Sequence, residues 1–408
     1  MMNHHDIHAF TSVTTNYLPK ARVLAASVKR LAPDMGFHLM LSDDPPPGFD
    51  LANEPFDSVI TLADLPVQDL RQWTFSHTVV ELCTAVKGFA FQHLFDKLGA
   101  KKAFYFDPDM VVFSRLDELC ERLDRRAILL TPHQTEPETT FESIIDNEFA
   151  SLKHGVFNLG FLGARADGQG RAFIDWWASR LRDFCHDNTD RGLFTDQRWC
   201  DLAPCFFDDL EVMRDAGFNV ATWNLTHRRV TGTLADGVRV NDEVLGFYHF
   251  SGFDSGAQEA MLNKYGAENP ALRELRNWYV AECDKAGQQQ LGKWPGKYST
   301  YDDGSAITRA QRVLYRERPD LHVVYPDPFC TTPQHHCFRD WYQANAAEPS
   351  VNGVLTVKPD VAYSVVMQDF IDYTERRLAS ARRFGGWRKS VATAVLRTGA
   401  GLARRILG

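Results

Sequence analysis

Ala103-Phe104-Tyr105-Phe106-Asp107-Pro108-Asp109-Met110-Val111-Val112-Phe113 is the stretch whose reading decides the fold. Apolar runs on both sides of the acids read as buried strand. Side chains alternate across extended backbone, so carboxylates at i and i+2 point to the same side. Two acids at the exposed end of a buried strand repel each other unless a cation sits between them. Pro108 fixes one φ and lacks an N–H, which suits the point where a strand leaves its sheet. The stretch therefore reads as half of a site for a hard divalent cation, which prefers oxygen ligands. A solvated turn is the alternative reading of the same residues.

Toward the N-terminus, Ile7 to Val13 reads as a strand, followed by the polar stretch Thr14-Thr15-Asn16-Tyr17. A helix is expected from Pro19 to Leu31, with proline in its first turn and Leu24, Val28 and Leu31 on one face. Further strands are expected at Phe37 to Leu41 and Ser58 to Leu62, with one long helix from Ser76 to Leu98. Strands alternating with helices imply a mainly parallel sheet with crossover helices. Ligands of such sheets bind beyond the carboxyl ends of the strands, which puts Asp107 and the Thr14 to Tyr17 loop in one crevice.

After residue 113 the order becomes mixed. Strands are expected at Arg126 to Thr131, Phe157 to Gly163, Glu211 to Met213, Val220 to Trp223 and Gly246 to Phe250, and a helix from Gly170 to Cys185. A first domain spans residues 1–265. Residues 266–375 form a helical and loop-rich extension suited to acceptor or dimer contacts. After Glu375 the tail carries nine Arg or Lys and no acid, with Phe384, Trp387, Val391, Val395, Leu402 and Ile406 mostly three and four apart. A basic amphipathic helix over 376–408 suits an anionic membrane surface; packing on the protein's own body or on a partner are the alternatives.

The 408 residues suffice for one large α/β domain and a smaller unit. A net charge of −8 argues against nucleic acid as the main partner. The eight cysteines include no Cys-x-x-Cys pair, so they read as reduced thiols of a cytoplasmic protein, peripheral at most on the inner face of a membrane. Cys330, His335, His336 and Cys337 fit no standard zinc spacing.

Tyr248-His249-Phe250-Ser251-Gly252 supplies the best further metal ligand, His249, although a histidine in an aromatic strand is by itself usually a core residue. Taken in order, Thr15-Asn16-Tyr17, Asp107-Pro108-Asp109, Phe157-Asn158-Leu159-Gly160-Phe161, Thr195-Asp196-Gln197 and His249-Phe250-Ser251-Gly252 resemble the motifs of GT-A-fold, nucleotide-sugar-dependent glycosyltransferases. The pattern is most similar to retaining glycosyltransferase family 8 and its bacterial polysaccharide-biosynthesis relatives, and it spans residues 7–255.

The resemblance implies a GT-A, Rossmann-like α/β fold and transfer of a hexose from a UDP-sugar to a glycan or lipid-linked glycan, with retention. It implies that Asp107, Asp109 and His249 hold Mn²⁺ or Mg²⁺ at the donor diphosphate. Ser12, Thr14 and Asn16 would line the base and ribose, and Lys87 would contact the donor. Asn158, Asp196 and Gln197 would surround the transferred sugar. One departure stands out: a Lys-Pro-Trp often follows the family's His-x-x-Gly, whereas this chain has Phe253-Asp254-Ser255. Lys264 or Arg228-Arg229 are the candidates to replace that lysine. A sugar-phosphate nucleotidyltransferase is the rival enzyme class, but Thr11 to Tyr17 lacks the glycine and basic residues of its phosphate loop. A catalytically inactive sugar-nucleotide-binding protein is the non-enzymatic alternative.

Overall fold

The computed structural model describes residues 5–253, 255–332 and 337–345. The tail at 376–408, Asp254, and the histidines 335 and 336 lie outside the described residues. Fourteen strands occur among those described. The first seven are β1 (Ile7–Val13), β2 (Gly36–Leu41), β3 (Ser58–Thr61), β4 (Lys102–Phe106), β5 (Met110–Val112), β6 (Ile128–Pro132) and β7 (Phe157–Arg165). They are followed by β8 (His186–Asn188), β9 (Leu193–Thr195), β10 (Leu210–Val212), β11 (Val230–Thr233), β12 (Gly237–Val240), β13 (Glu243–Val244) and β14 (Phe247–His249).

The main sheet has seven strands in the order β10-β6-β7-β4-β1-β2-β3. Strand β1 runs parallel to β2 and β4, β2 to β3, and β10 to β6, whereas β7 is antiparallel to β4 and β6. This mixed, mainly parallel α/β sheet is the expected architecture. Near-continuous apolar strands such as β4 and β6 are buried on both faces, as a covered parallel sheet requires. Helices Leu18–Leu31 and Gly168–Phe184 follow β1 and β7, and each buries one apolar face. Phe104, Phe106, Phe161 and Phe247 interlock in the core, with the Phe161 and Phe247 ring centres 4.9 Å apart.

Several local expectations change. The helix expected over 76–98 is two, Val79–Ala85 and Lys87–Lys97, and a separate helix occupies Leu70–Phe75. A strand from Val220 to Trp223 does not form; Val220 makes one bridge to Tyr248 and Thr222–Asn224 turns as 3₁₀. The helix Leu116–Arg125 escapes the sequence reading; its apolar stripe is only Leu116, Leu119, Cys120 and Leu123 amid six charged positions.

The described residues form two compact units, residues 5–67 with 79–297 and residues 68–78 with 298–345. The first extends past residue 265, because Leu272, Leu275 and Tyr279 of helix Pro270–Lys285 pack with Val220, Tyr248 and Phe250. The described part of the second is helical, with Arg309–Glu317, Pro319–Val324 and Phe338–Asn345. Its centre is Phe75, edge-on to the rings of Tyr315, Phe329 and Phe338. Arg312 in that unit donates to the carbonyls of Phe75 and His77 at 3.0 and 2.8 Å, and also to that of Tyr298.

Candidate active site

Strand β4 ends at Phe106, and Asp107 leaves the sheet with its N–H donating to the Gly160 carbonyl at 2.7 Å. The next residues are a turn closed by Met110 N–H to Asp107 carbonyl at 2.9 Å, not continuous extended backbone. The carboxylates are therefore brought together by the turn rather than by strand alternation. Nor is the turn solvated: the side chains of Asp107 and Asp109 are only 27% and 16% exposed. Strand β5 then joins a second ladder, antiparallel to β14, with Met110 opposite His249. That pairing carries His249 to the turn, where its Nε2 lies 3.0 Å from Asp109 and 3.8 Å from Asp107. Ligand atoms of Asp107, Asp109 and His249 all lie within 4.8 Å of one another.

Two carboxylates and one imidazole nitrogen form a donor set suited to Mn²⁺ or Mg²⁺. Gly160 leaves room for it, since a Cβ there would meet His249 Cε1 at 2.7 Å. The residues present fit such an ion. Burial pushes the Asp109 carboxyl up, but the His249 ring and then Lys20 hold it below the usual carboxylate range. Burial disfavours a charged His249, yet Asp109 and Asp107 keep its proton affinity above that of an ordinary histidine.

Beside the triad opens a cavity of about 330 Å³ lined by Lys87, Asp107, Asn158, Asp196, Gln197 and His249 among others. Six of the residues expected from sequence thus share one wall system. Lys87 Nζ lies 2.9 Å from Asp196 and 3.4 Å from Asp107, donates to the Leu159 carbonyl, and sits over the Tyr105 ring. Burial lowers the ammonium's proton affinity, but Asp107 and Asp196 raise it above the usual lysine value. Burial raises the Asp196 carboxyl, and Lys87 offsets part of that. Thr195, next to it, holds φ of 44°, a strained left-handed conformation for a β-branched residue. Trp177 Nε1 fixes this turn by donating to the Asp196 carbonyl at 3.0 Å.

Gln197 is fully engaged: its Oε1 accepts from Leu159 N–H at 3.1 Å and its Nε2 donates to the His154 carbonyl at 3.0 Å. Asn158 Oδ1 stands 3.2 Å from His249 Nδ1. Ser12, Thr14 and Asn16 lie at the carboxyl end of β1, outside this cavity's lining. Phe10 is level with Tyr105 in the β1–β4 register, and Ser12 lies two residues beyond it. Thr14 Oγ1 donates to Asn16 Oδ1 at 2.7 Å, while the buried Ser12 hydroxyl has no partner among the described residues.

None of the three cations considered in place of the missing lysine lines the cavity. Lys264 pairs with Glu142 and Asp146, Arg228 donates to the Phe218 carbonyl at 2.6 Å, and Arg229 faces Asp242 at the surface. Sequence reasoning missed Lys20, 1% exposed, whose ammonium sits 3.7 Å from the Tyr17 ring centre and 5.7 Å from that of Phe253. A signal existed: a lysine in the first turn of a helix opposes the helix dipole and calls for compensation nearby. His133 was missed as well; it lines the cavity beside Asn158 and Trp223.

No known family model matches this sequence. It is similar to two proteins of Bacillus subtilis (strain 168). The uncharacterized protein YfnD is 26% identical over 252 residues, 60% of this chain and 78% of that one. The uncharacterized protein YfnF is 26% identical over 152 residues, 37% of this chain and 46% of that one. Among solved structures, the galactosyltransferase LgtC with donor and acceptor sugar analogs aligns at a TM-score of 0.42 and 16% identity, over 71% of this chain and 97% of that one. Mouse xyloside xylosyltransferase 1 gives 0.37 and 17%, over 60% and 97%. The glycosyltransferase GlyE of Streptococcus pneumoniae TIGR4 gives 0.38 and 15%, over 72% and 66%.

Proposed function

We propose that this chain is a metal-dependent glycosyltransferase of the GT-A type, moving a hexose from a UDP-sugar to a glycan or lipid-linked glycan. The observation that carries the reading is the convergence of Asp107, Asp109 and His249 within 4.8 Å, at the edge of a cavity that also holds Asp196 and Lys87. Asp107, Asp109 and His249 hold the ion. Bound Mn²⁺ or Mg²⁺ supplies Lewis-acid stabilisation of the departing diphosphate.

The other groups divide the remaining work. Ser12, Thr14 and Asn16 receive the base and ribose beyond β1. Lys87 offsets part of the charge of Asp107 and Asp196, which lowers the repulsion met by an anionic donor entering the cavity. Asp196 stabilises the positive character that grows at the anomeric carbon as the glycosyl–phosphate bond breaks. Gln197 fixes the cavity wall through its two backbone bonds. Retention of configuration follows from the family resemblance.

A thermal-shift series of nucleotide sugars with and without Mn²⁺ tests the reading. A UDP-sugar should stabilise the protein only when the metal is present, and Asp109→Ala or His249→Ala should abolish both that shift and metal-dependent UDP-sugar hydrolysis. Stabilisation independent of metal, or undiminished hydrolysis in both variants, refutes it.

A further inference from the structure

Behind the triad runs a chain of side chains that none of the expected roles explains. His133 Nε2 lies 3.3 Å from Asn158 Nδ2, Asn158 Oδ1 lies 3.2 Å from His249 Nδ1, and His249 Nε2 lies 3.0 Å from Asp109. The direction of these bonds has a chemical consequence. An amide NH₂ only donates, so the nitrogen of His133 that meets it must accept. Burial keeps His133 neutral, its pKa pushed down to about 4, so that lone pair is available. With Nε2 turned to Asn158, the ring proton belongs on Nδ1, a buried nitrogen without a hydrogen-bond partner among the described residues.

The same direction carries on to the next ring. Because its NH₂ is spent on His133, Asn158 turns its carbonyl to His249, and His249 Nδ1 becomes the donor. In the neutral imidazole the lone pair is then on Nε2, the nitrogen facing both carboxylates. A reversed amide would place the proton on Nε2 and block a metal ion. The ring planes are held too: Trp223 packs edge-on to both His133 and His249, at 5.7 and 5.2 Å between centres.

We propose that His133 and Asn158 are positioning residues, a histidine–amide relay that fixes the tautomer of His249 and presents its Nε2 lone pair to a divalent cation. The proposal rests on the metal-dependent reading above and moves Asn158 from the sugar to the support of the metal ligand. Outer partners of a ligating histidine are typically worth ten- to a hundred-fold in metal affinity.

The test measures Mn²⁺ affinity by electron paramagnetic resonance on full-length protein without nucleotide. His133→Phe should weaken binding roughly ten- to a hundred-fold. In an Asn158→Asp background the same change should cost less than about twofold, because a carboxylate offers an acceptor to His249 whichever way it turns. Equal losses in both backgrounds, or no loss in either, overturn the relay. Tight Mn²⁺ binding without turnover of any UDP-sugar would sink the glycosyltransferase reading and leave the relay standing.

Discussion

Gly160→Ala probes how closely β7 is fitted to the triad. A Cβ at this position would meet Met110 Cε at 2.6 Å, His249 Cε1 at 2.7 Å and Asn158 Oδ1 at 2.9 Å. Carbon atoms in ordinary contact stand about 3.5–4.0 Å apart, so the His249 ring must retreat by roughly 0.8 Å or more. The Met110 methyl end can swing aside, but His249 is held by strand β14, by Asn158 and by Trp223. Overpacking of this kind typically costs about 1–3 kcal/mol, a drop of several degrees in Tm for a protein of this size. Displacement of a ligand by about 1 Å is worth on the order of a hundred-fold in rate.

Gly163→Ala is the control, because the nearest neighbours of its Cβ would be Phe104 and Leu129, at 3.0–3.3 Å, and not the triad. The two variants should lose comparable stability in thermal melts, while only Gly160→Ala loses Mn²⁺ affinity by titration. Wild-type affinity in Gly160→Ala, within about twofold, refutes the reasoning that this glycine makes room for the metal ligand.

Lys87→Met leaves Asp107 and Asp196 without their shared cation, and breaking a buried pair in this way costs about 3–5 kcal/mol. Denaturant unfolding should register that loss, and a change under about 1 kcal/mol would show that the carboxylates do not depend on Lys87. Arg312→Met deprives the Phe75, His77 and Tyr298 carbonyls of their donor. At about 1–3 kcal/mol per stranded group, amide exchange in helix Arg309–Glu317 should accelerate at least ten-fold, and wild-type protection would contradict the packing described. His38 is buried, bonded to Ser58 and His8, and its pKa is pushed down to about 4 by burial and then by His8. The unfolded chain takes up that proton below about pH 6.5, so stability is intact above this value and is lost as pH falls toward 4. The contribution is about 3 kcal/mol at most; His38→Phe should flatten the stability profile between those values, and an unchanged slope would assign the loss elsewhere.

The strands of the main sheet and the helices flanking it were legible in the sequence because their apolar runs and periodicities are local. Leu116–Arg125 was not, since a stripe of four apolar residues in a charged helix looks like a loop until α/β packing gives it a surface. The break between Val79–Ala85 and Lys87–Lys97 was equally hidden, because the apolar spacing runs through it. Of the candidate site residues, Lys87, Asp107, Asn158, Asp196, Gln197 and His249 do line one cavity. Ordered motifs could bring them under suspicion one by one. They could not say that Gln197 spends both ends on backbone or that Asn158 faces His249 rather than open space.

The sequence by itself determined which residues carry charge or metal-ligating atoms and which segments form the strands of the main sheet, because these follow from side-chain chemistry and local periodicity. Tertiary structure alone decided the rest. A turn, not strand alternation, brings Asp107 and Asp109 together, and a second ladder delivers His249 to them. Burial then requires charged and polar groups to find partners, which is why Lys20, Lys87 and the neutral His133 enter the account. Partners drawn from distant strands and helices leave no pattern along the chain; they exist only where the fold closes.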